Sequence, residues 1–230
     1  MLRQAQHDCD FTIQHLLSVM SIYLISPPQI DLKPFSSRLE NALKTSLVPV
    51  FQLRLKNYEA AEVKKISHEL KKICHANNCL FLLNDSYEIA ADVEADGIHL
   101  GVEDGSIALV RKKSPQNFVI GASCYDSRHL AIEAAEQGAD YLSFGAFFES
   151  KTKKSRGNPT PEILTWCSEI MNLPIVAIGG ITDENCLALV KAGANFLSVI
   201  SYVWNHSQGE AVALQKLHQA ATIKPLHSTG

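Results

Sequence analysis

Leu80-Phe-Leu-Leu-Asn-Asp-Ser-Tyr-Glu-Ile-Ala-Ala-Asp-Val-Glu-Ala-Asp-Gly-Ile-His-Leu-Gly-Val-Glu-Asp104 is the stretch that decides the fold. It holds two short apolar runs, 80–83 and 98–100, each stopped abruptly by polar residues: Asn84-Asp85 after the first, Glu103-Asp104 soon after the second. Runs of this kind read as strands buried on both faces, which favours a parallel sheet over a half-wet antiparallel one. The link between them is long enough for a short crossover helix, so the two strands are expected to be parallel neighbours. Their ends then lie side by side, and two readings of the aspartates stay open. Asp85 and Asp104 can converge on one hard cation such as Mg²⁺, which takes oxygen ligands and keeps waters and substrate phosphates. Alternatively, Asp85 caps a helix and Asp104 opens the next one.

Outward from this stretch the same alternation repeats. Strands are predicted at 21–25, 50–53, 79–83, 97–100, 118–121, 141–144, 175–178 and 196–200. Between them lie helical patterns. One is weak, at 35–43; a second runs through Val63, Ile66, Leu70 and Ile73 after Asn57 as a cap. Further helices are expected at 104–112, through Leu130–Ala135 with Gly138 as a stop, and at 161–171, 183–192 and 210–221. Eight strictly alternating strands and helices, with no composition break, predict a single α/β domain: a (β/α)₈ TIM barrel over 19–222. Residues 1–18 read as an N-terminal extension and 223–230 as a C-terminal tail. An open doubly wound sheet is the competitor, but no G-x-G-x-x-G turn follows the first strand.

Composition narrows the class. At 230 residues and 46% hydrophobic, the chain can bury a full core. With 21 Lys and Arg against 24 Asp and Glu, the net charge of −3 offers no basic field for nucleic acid. Six cysteines without a C-x-x-C pair suggest reduced, packing thiols. No apolar run approaches a membrane span, and Asp8 and Asp10 make the first twenty residues a poor signal peptide. These features predict a soluble, cytoplasmic protein acting on small molecules, with no nucleic-acid or membrane partner. Self-association as a homo-oligomer is compatible with the fold, although nothing in the sequence specifies an interface.

Active sites of such barrels lie at the carboxyl ends of the strands. Those ends carry Gln52, Arg54 and Lys56; Asn84 and Asp85; His99 and Asp104; Ser123; Ser150, Thr152 and Lys153; Gly179-Gly180; and Ser201. Bare backbone N–H groups at the glycine pair, leading into a helix, would seat a phosphate. Arg54, Lys56, Asn84 and Lys153 form a second anion-binding cluster near the aspartates. One phosphate plus one metal-bound diphosphate is the chemistry this layout suits.

Several pieces in this order carry a resemblance: Gln-Leu-Arg-Leu-Lys at 52–56, Asn84-Asp85, Ala-Asp-Gly-Ile-His-Leu-Gly at 95–101, Ile-Gly-Ala-Ser at 120–123, Gly-Ala-Asp-Tyr at 138–141, Thr152-Lys153 and Ala-Ile-Gly-Gly-Ile at 177–181. From about residue 22 to residue 204 the chain resembles the thiamine-phosphate synthase family. That family joins 4-amino-2-methyl-5-hydroxymethylpyrimidine diphosphate to 4-methyl-5-(2-phosphoethyl)thiazole, releasing pyrophosphate. The resemblance implies a transferase in which Gln52 and His99 contact the pyrimidine. It implies that Arg54, Lys56, Asn84, Ser123 and Lys153 hold the diphosphate, and that Asp85 and Asp104 bind Mg²⁺. Ser150, Lys151, Thr152, Gly180, Ile200 and Ser201 would surround the thiazole phosphate. The chain departs from the family pattern at Val102, at 146–150, at 155–158 and at the bulky Tyr202-Val203-Trp204. The alternatives are a thiazole tautomerase-like barrel and a non-catalytic paralogue that binds thiazole phosphate or thiamine phosphate.

Overall fold

The computed structural model describes residues 20–149 and 157–222. Among them, eight strands close into a parallel barrel: β1 (Ser21–Ile25), β2 (Val50–Leu53), β3 (Leu80–Asn84), β4 (Gly97–Leu100), β5 (Val119–Tyr125), β6 (Tyr141–Gly145), β7 (Ile175–Ile178) and β8 (Phe196–Val199). The strands follow chain order around the barrel, and β1 pairs with β8 to close it. The helices are α1 (Leu32–Leu43), α2 (Ala60–Ala76), α3 (Tyr87–Asp92), α4 (Ile107–Lys113), α5 (Arg128–Glu136), α6 (Glu162–Ile170), α7 (Cys186–Lys191), α8 (Ser201–Trp204) and α9 (Glu210–Thr222). The expected (β/α)₈ architecture is therefore present. No described helix is long and apolar enough to cross a membrane.

Each strand serves two cores, because successive side chains point to opposite faces. In β2, Val50 joins the barrel interior with Tyr23, Leu82, Val119, Tyr141, Val176 and Phe196. Phe51 and Leu53 point outward to the layer under the helices, against residues such as Phe35, Leu39 and Leu70. By the same alternation Gln52 points inward, towards the mouth. Burial on both faces explains why these strands read as unbroken apolar runs.

The amino-terminal ends of the strands are pinned by a repeated device. Asp96, Asp140 and Asn195 each stand immediately before an even-numbered strand and accept a hydrogen bond from the backbone N–H of the preceding strand. The pairs are Phe81 to Asp96 at 2.7 Å, Ile120 to Asp140 at 2.7 Å and Ile175 to Asn195 at 2.8 Å. Each clamp returns its own N–H to the same neighbour's carbonyl, which locks register at the end opposite the mouth. Arg111 of α4 adds an ion pair to Asp140 and bonds the carbonyls of Phe118 and Gly138.

Several local expectations are corrected. Asn57 does not cap α2: it adopts a left-handed conformation (φ 64°), and Glu59 is the N-cap residue. The strand expected at 118–121 extends to Tyr125, so Ser123 lies inside β5 rather than beyond it. Helix α7 starts at Cys186, so the glycine pair does not lead directly into it. Both glycines have positive φ, and a Cβ on either would strike the segment 146–149 after β6. Their first role is to let that segment lie against β7, where Phe147 and Phe148 donate to the carbonyls of Ile178 and Gly179.

Candidate active site

The loop after β1 sets the first cations. Ser26 Oγ accepts from Arg54 N–H at 2.9 Å and Pro28 O accepts from Lys56 N–H at 2.9 Å, so Ser26-Pro27-Pro28 holds the 54–56 segment along the rim. At the end of β3, Asp85 takes a left-handed conformation (φ 72°), which aspartate tolerates better than most residues. Its N–H reaches His99 O at 3.0 Å, and its carboxylate meets Lys56 Nζ at 3.1 Å. Neither aspartate caps a helix: Ser86 is the N-cap residue of α3 and Ser106 that of α4. Asp104 instead accepts from Gly101 N–H at 2.8 Å, closing the turn after β4.

Asp104 is held above the usual carboxylate range, first by partial loss of hydration and then by the neighbouring Asp85 carboxyl. The Asp85 and Asp104 carboxyl groups, brought side by side in this way, form a hard-oxygen pair that a divalent cation would relieve. Among the described residues no group of three or more His, Cys, Asp and Glu converges. A pair of aspartates supplying part of the shell fits Mg²⁺, whose other ligands are commonly water and phosphate oxygens.

Below the rim the cavity is polar. Gln52 Nε2 donates to Asn84 Oδ1 at 2.5 Å, and Tyr23 Oη donates to Gln52 Oε1 at 3.0 Å. Tyr23 and Tyr141 share a 2.8 Å bond, and His99 bridges Tyr141 through Nδ1 at 2.9 Å and Ser123 through Nε2 at 2.8 Å. Burial pushes both phenols well above their ordinary value, so they stay protonated. The room for Tyr141 comes from Gly121, its register partner on β5, since any Cβ there would overlap the ring.

One cavity of about 370 Å³ gathers the described residues singled out from sequence: Gln52, Arg54, Lys56, Asn84, Asp85, His99, Asp104, Ser123, Gly180, Ile200 and Ser201. Ser150, Lys151, Thr152 and Lys153 lie outside the described residues. Sequence reasoning missed Tyr23, Tyr141, Ser143 and Ser198, which line the same cavity. The buried Ser198 hydroxyl has no hydrogen-bond partner among the described residues. Hydroxyl-bearing residues inside otherwise apolar strands were the available signal. The bulky residues after Ser201 divide: Tyr202 lines the cavity, whereas Trp204 is buried outside it. Its indole N–H donates to Ile25 O at 2.6 Å, and its ring packs on Phe35 and under Arg38.

The model of the thiamine monophosphate synthase family matches residues 22–203. The chain belongs to this family. It is 44% identical over 193 residues to the thiamine-phosphate synthase of Rhodospirillum centenum, covering 84% of this chain and 93% of the relative. It is 45% identical over 197 residues to that of Erythrobacter litoralis, covering 83% and 91%. Among solved structures it is similar to a thiamine phosphate pyrophosphorylase from Pyrococcus furiosus. That likeness has a TM-score of 0.78 at 31% identity and covers 91% of this chain and 98% of the other. Family membership thus spans the barrel and the whole described cavity.

Proposed function

We propose that the chain is a thiamine-phosphate synthase, joining 4-amino-2-methyl-5-hydroxymethylpyrimidine diphosphate to 4-methyl-5-(2-phosphoethyl)thiazole with release of pyrophosphate. The convergence of Arg54, Lys56, Asp85, Asp104, Gln52 and His99 on one cavity supports this reading most directly. A barrel that handles only the thiazole phosphate has no use for two cations and two carboxylates beside a polar ring site.

Arg54 and Lys56, with Asn84 and Lys153, hold the diphosphate and neutralise the charge that grows as it leaves, while Ser123, bonded to His99, lines the cavity beside them. Preplaced donors of this kind lower such a barrier by on the order of a few kcal/mol. Asp85 and Asp104 would hold Mg²⁺, and a bound Mg²⁺ supplies further positive charge beside the leaving diphosphate. Gln52 and His99 orient the pyrimidine so that its exocyclic methylene faces the second substrate. The C–O bond breaks first, its electron pair leaving with pyrophosphate while the aminopyrimidine stabilises the cation. The thiazole nitrogen lone pair then forms the C–N bond, and no protein nucleophile takes part. Ser150, Lys151, Thr152, Gly180, Ile200 and Ser201 surround the thiazole phosphate.

The test is direct. Purified protein incubated with both phosphorylated heterocycles and Mg²⁺ yields thiamine monophosphate and an equal amount of pyrophosphate. Binding of the thiazole phosphate without either product would overturn the synthase reading.

A further inference from the structure

Six side chains from six strands form one unbroken hydrogen-bonded chain around the cavity: Asn84 (β3), Gln52 (β2), Tyr23 (β1), Tyr141 (β6), His99 (β4) and Ser123 (β5). Its members are drawn from 118 residues apart at the Tyr23–Tyr141 link.

The proton count along this chain leaves little freedom. A phenol carries one proton. Tyr23 commits its own to Gln52 Oε1, so the bond between the two tyrosines must use the proton of Tyr141. Tyr141 then has only lone pairs for His99, and Nδ1 must be the protonated ring nitrogen. In a neutral imidazole Nε2 is then an acceptor, and Ser123 donates to it. The opposite tautomer requires every link to reverse at once. Tyr141 would donate to Nδ1, Tyr23 to Tyr141, and both amides would have to turn over. Reversing one link alone sets two donors or two acceptors face to face inside the barrel, where an unmade bond is expensive. The phenols do not short-circuit the chain by ionising, since burial keeps their protons on.

We infer that Tyr23 and Tyr141 are positioning residues, which keep a proton on His99 Nδ1 and couple it to the orientation of the Gln52 amide. Gln52 and His99 sit on β2 and β4, on either side of Asn84, and face the same cavity. A heterocycle entering between them therefore meets the remaining donor and acceptor of the Gln52 amide in one fixed orientation rather than an average over two, beside an imidazole whose nitrogens are already held by Tyr141 and Ser123. The use of that arrangement for reading the pyrimidine rests on the proposed function; the tautomer does not.

Nitrogen-15 NMR of histidine-labelled protein, with His99→Asn to identify the His99 signals, reads the tautomer directly. Recorded well above the ordinary histidine pKa of about 6.5, the wild-type spectrum is expected to show a protonated Nδ1 and an unprotonated Nε2. Tyr141→Phe removes the acceptor for Nδ1–H and is expected to move the proton to Nε2, which then donates to Ser123. Tyr23→Phe leaves Tyr141 in place but frees its proton, and is expected to give a mixture of the two forms. A wild-type Nε2–H tautomer, or one unchanged in Tyr23→Phe, would overturn the inference, whether or not the Tyr141 variant folds. Steady-state kinetics separate the two layers. In the phenylalanine variants KM for the pyrimidine diphosphate should rise by about tenfold, the weight of one neutral hydrogen bond, with KM for the thiazole phosphate unmoved. A shifted tautomer with both KM values unchanged would uphold the inference and remove His99 from pyrimidine recognition.

Discussion

Gly121→Ala is the most exacting single perturbation of this barrel. Gly121 pairs in register with His99 on one side and with Tyr141 on the other. A methyl group at this position would fall within the Tyr141 ring, on Cζ, Oη and Cε1. Tyr141 is fully buried, and its hydroxyl is tied to both Tyr23 and His99. Overpacking of a closed core costs roughly 1–3 kcal/mol. Displacing the ring also loosens two buried hydrogen bonds, each worth about 1 kcal/mol. Against this, the stiffer unfolded chain returns about 0.4–1 kcal/mol. The net expectation is a loss of roughly 2–4 kcal/mol, or a fall of about 5–15 °C in Tm for a domain of this size. Urea unfolding followed by circular dichroism measures it. The double variant Gly121→Ala/Tyr141→Leu supplies the control, because a shorter side chain leaves room for the methyl. Its destabilisation should fall short of the sum of the two single losses by about 1 kcal/mol or more. A Gly121→Ala protein within about 0.5 kcal/mol of wild type, or strictly additive losses, would refute the steric reasoning.

Four further outcomes are expected. Asp85→Asn or Asp104→Asn lowers kcat by about a hundredfold or more and weakens the dependence on Mg²⁺; equal turnover in excess chelator would remove the metal role. Ser201→Ala raises KM for the thiazole phosphate, and movement of the pyrimidine diphosphate KM alone would exchange the two subsites. Asp140→Ala removes the acceptor for Ile120 N–H and the partner of Arg111 at the far end of the barrel. It should cost about 2 kcal/mol in unfolding experiments while leaving both KM values intact. Burial pushes the Cys124 thiol up to about 12 and the Cys167 thiol up to about 11, so both stay protonated until pH nears those values. In a Cys9→Ser chain, a disulfide reagent at pH 8 should react only as the protein unfolds; rapid labelling of the native protein would contradict the buried positions of the remaining five thiols.

The barrel was legible in the sequence because its signals are local. Short apolar runs, polar stops and helical periodicity each depend on neighbours a few residues away. Strand ends could therefore be read one by one, and fold logic brings those ends together. Hence Gln52, Arg54, Asn84, Asp85, His99, Asp104 and Ser123 could be assigned to one mouth, where they line one cavity. The strand expected at 118–121 is present but runs on, because β5 keeps finding partners on β6 as far as Tyr125, and the cap falls to Glu59 rather than Asn57, whose backbone is left-handed.

Other features were decided by the tertiary structure alone. A strand buried on both faces has no polar alternation, so nothing local says that Tyr23 and Tyr141 point inward rather than under the helices. Capping and convergence are equally good local uses for Asp85 and Asp104. The serines at 86 and 106 take the caps, and the turn at Gly101 brings Asp104 back towards Asp85. The glycine pair at 179–180 reads as a phosphate seat, yet its backbone is shaped by the segment packed against it from β6. Amino-acid identity determined which elements form and what chemistry their ends carry. Which hydroxyl meets which ring nitrogen depended on closing the barrel, because Tyr141 and Ser123 lie 42 and 24 residues from His99 on other strands and only packing brings them within 3 Å.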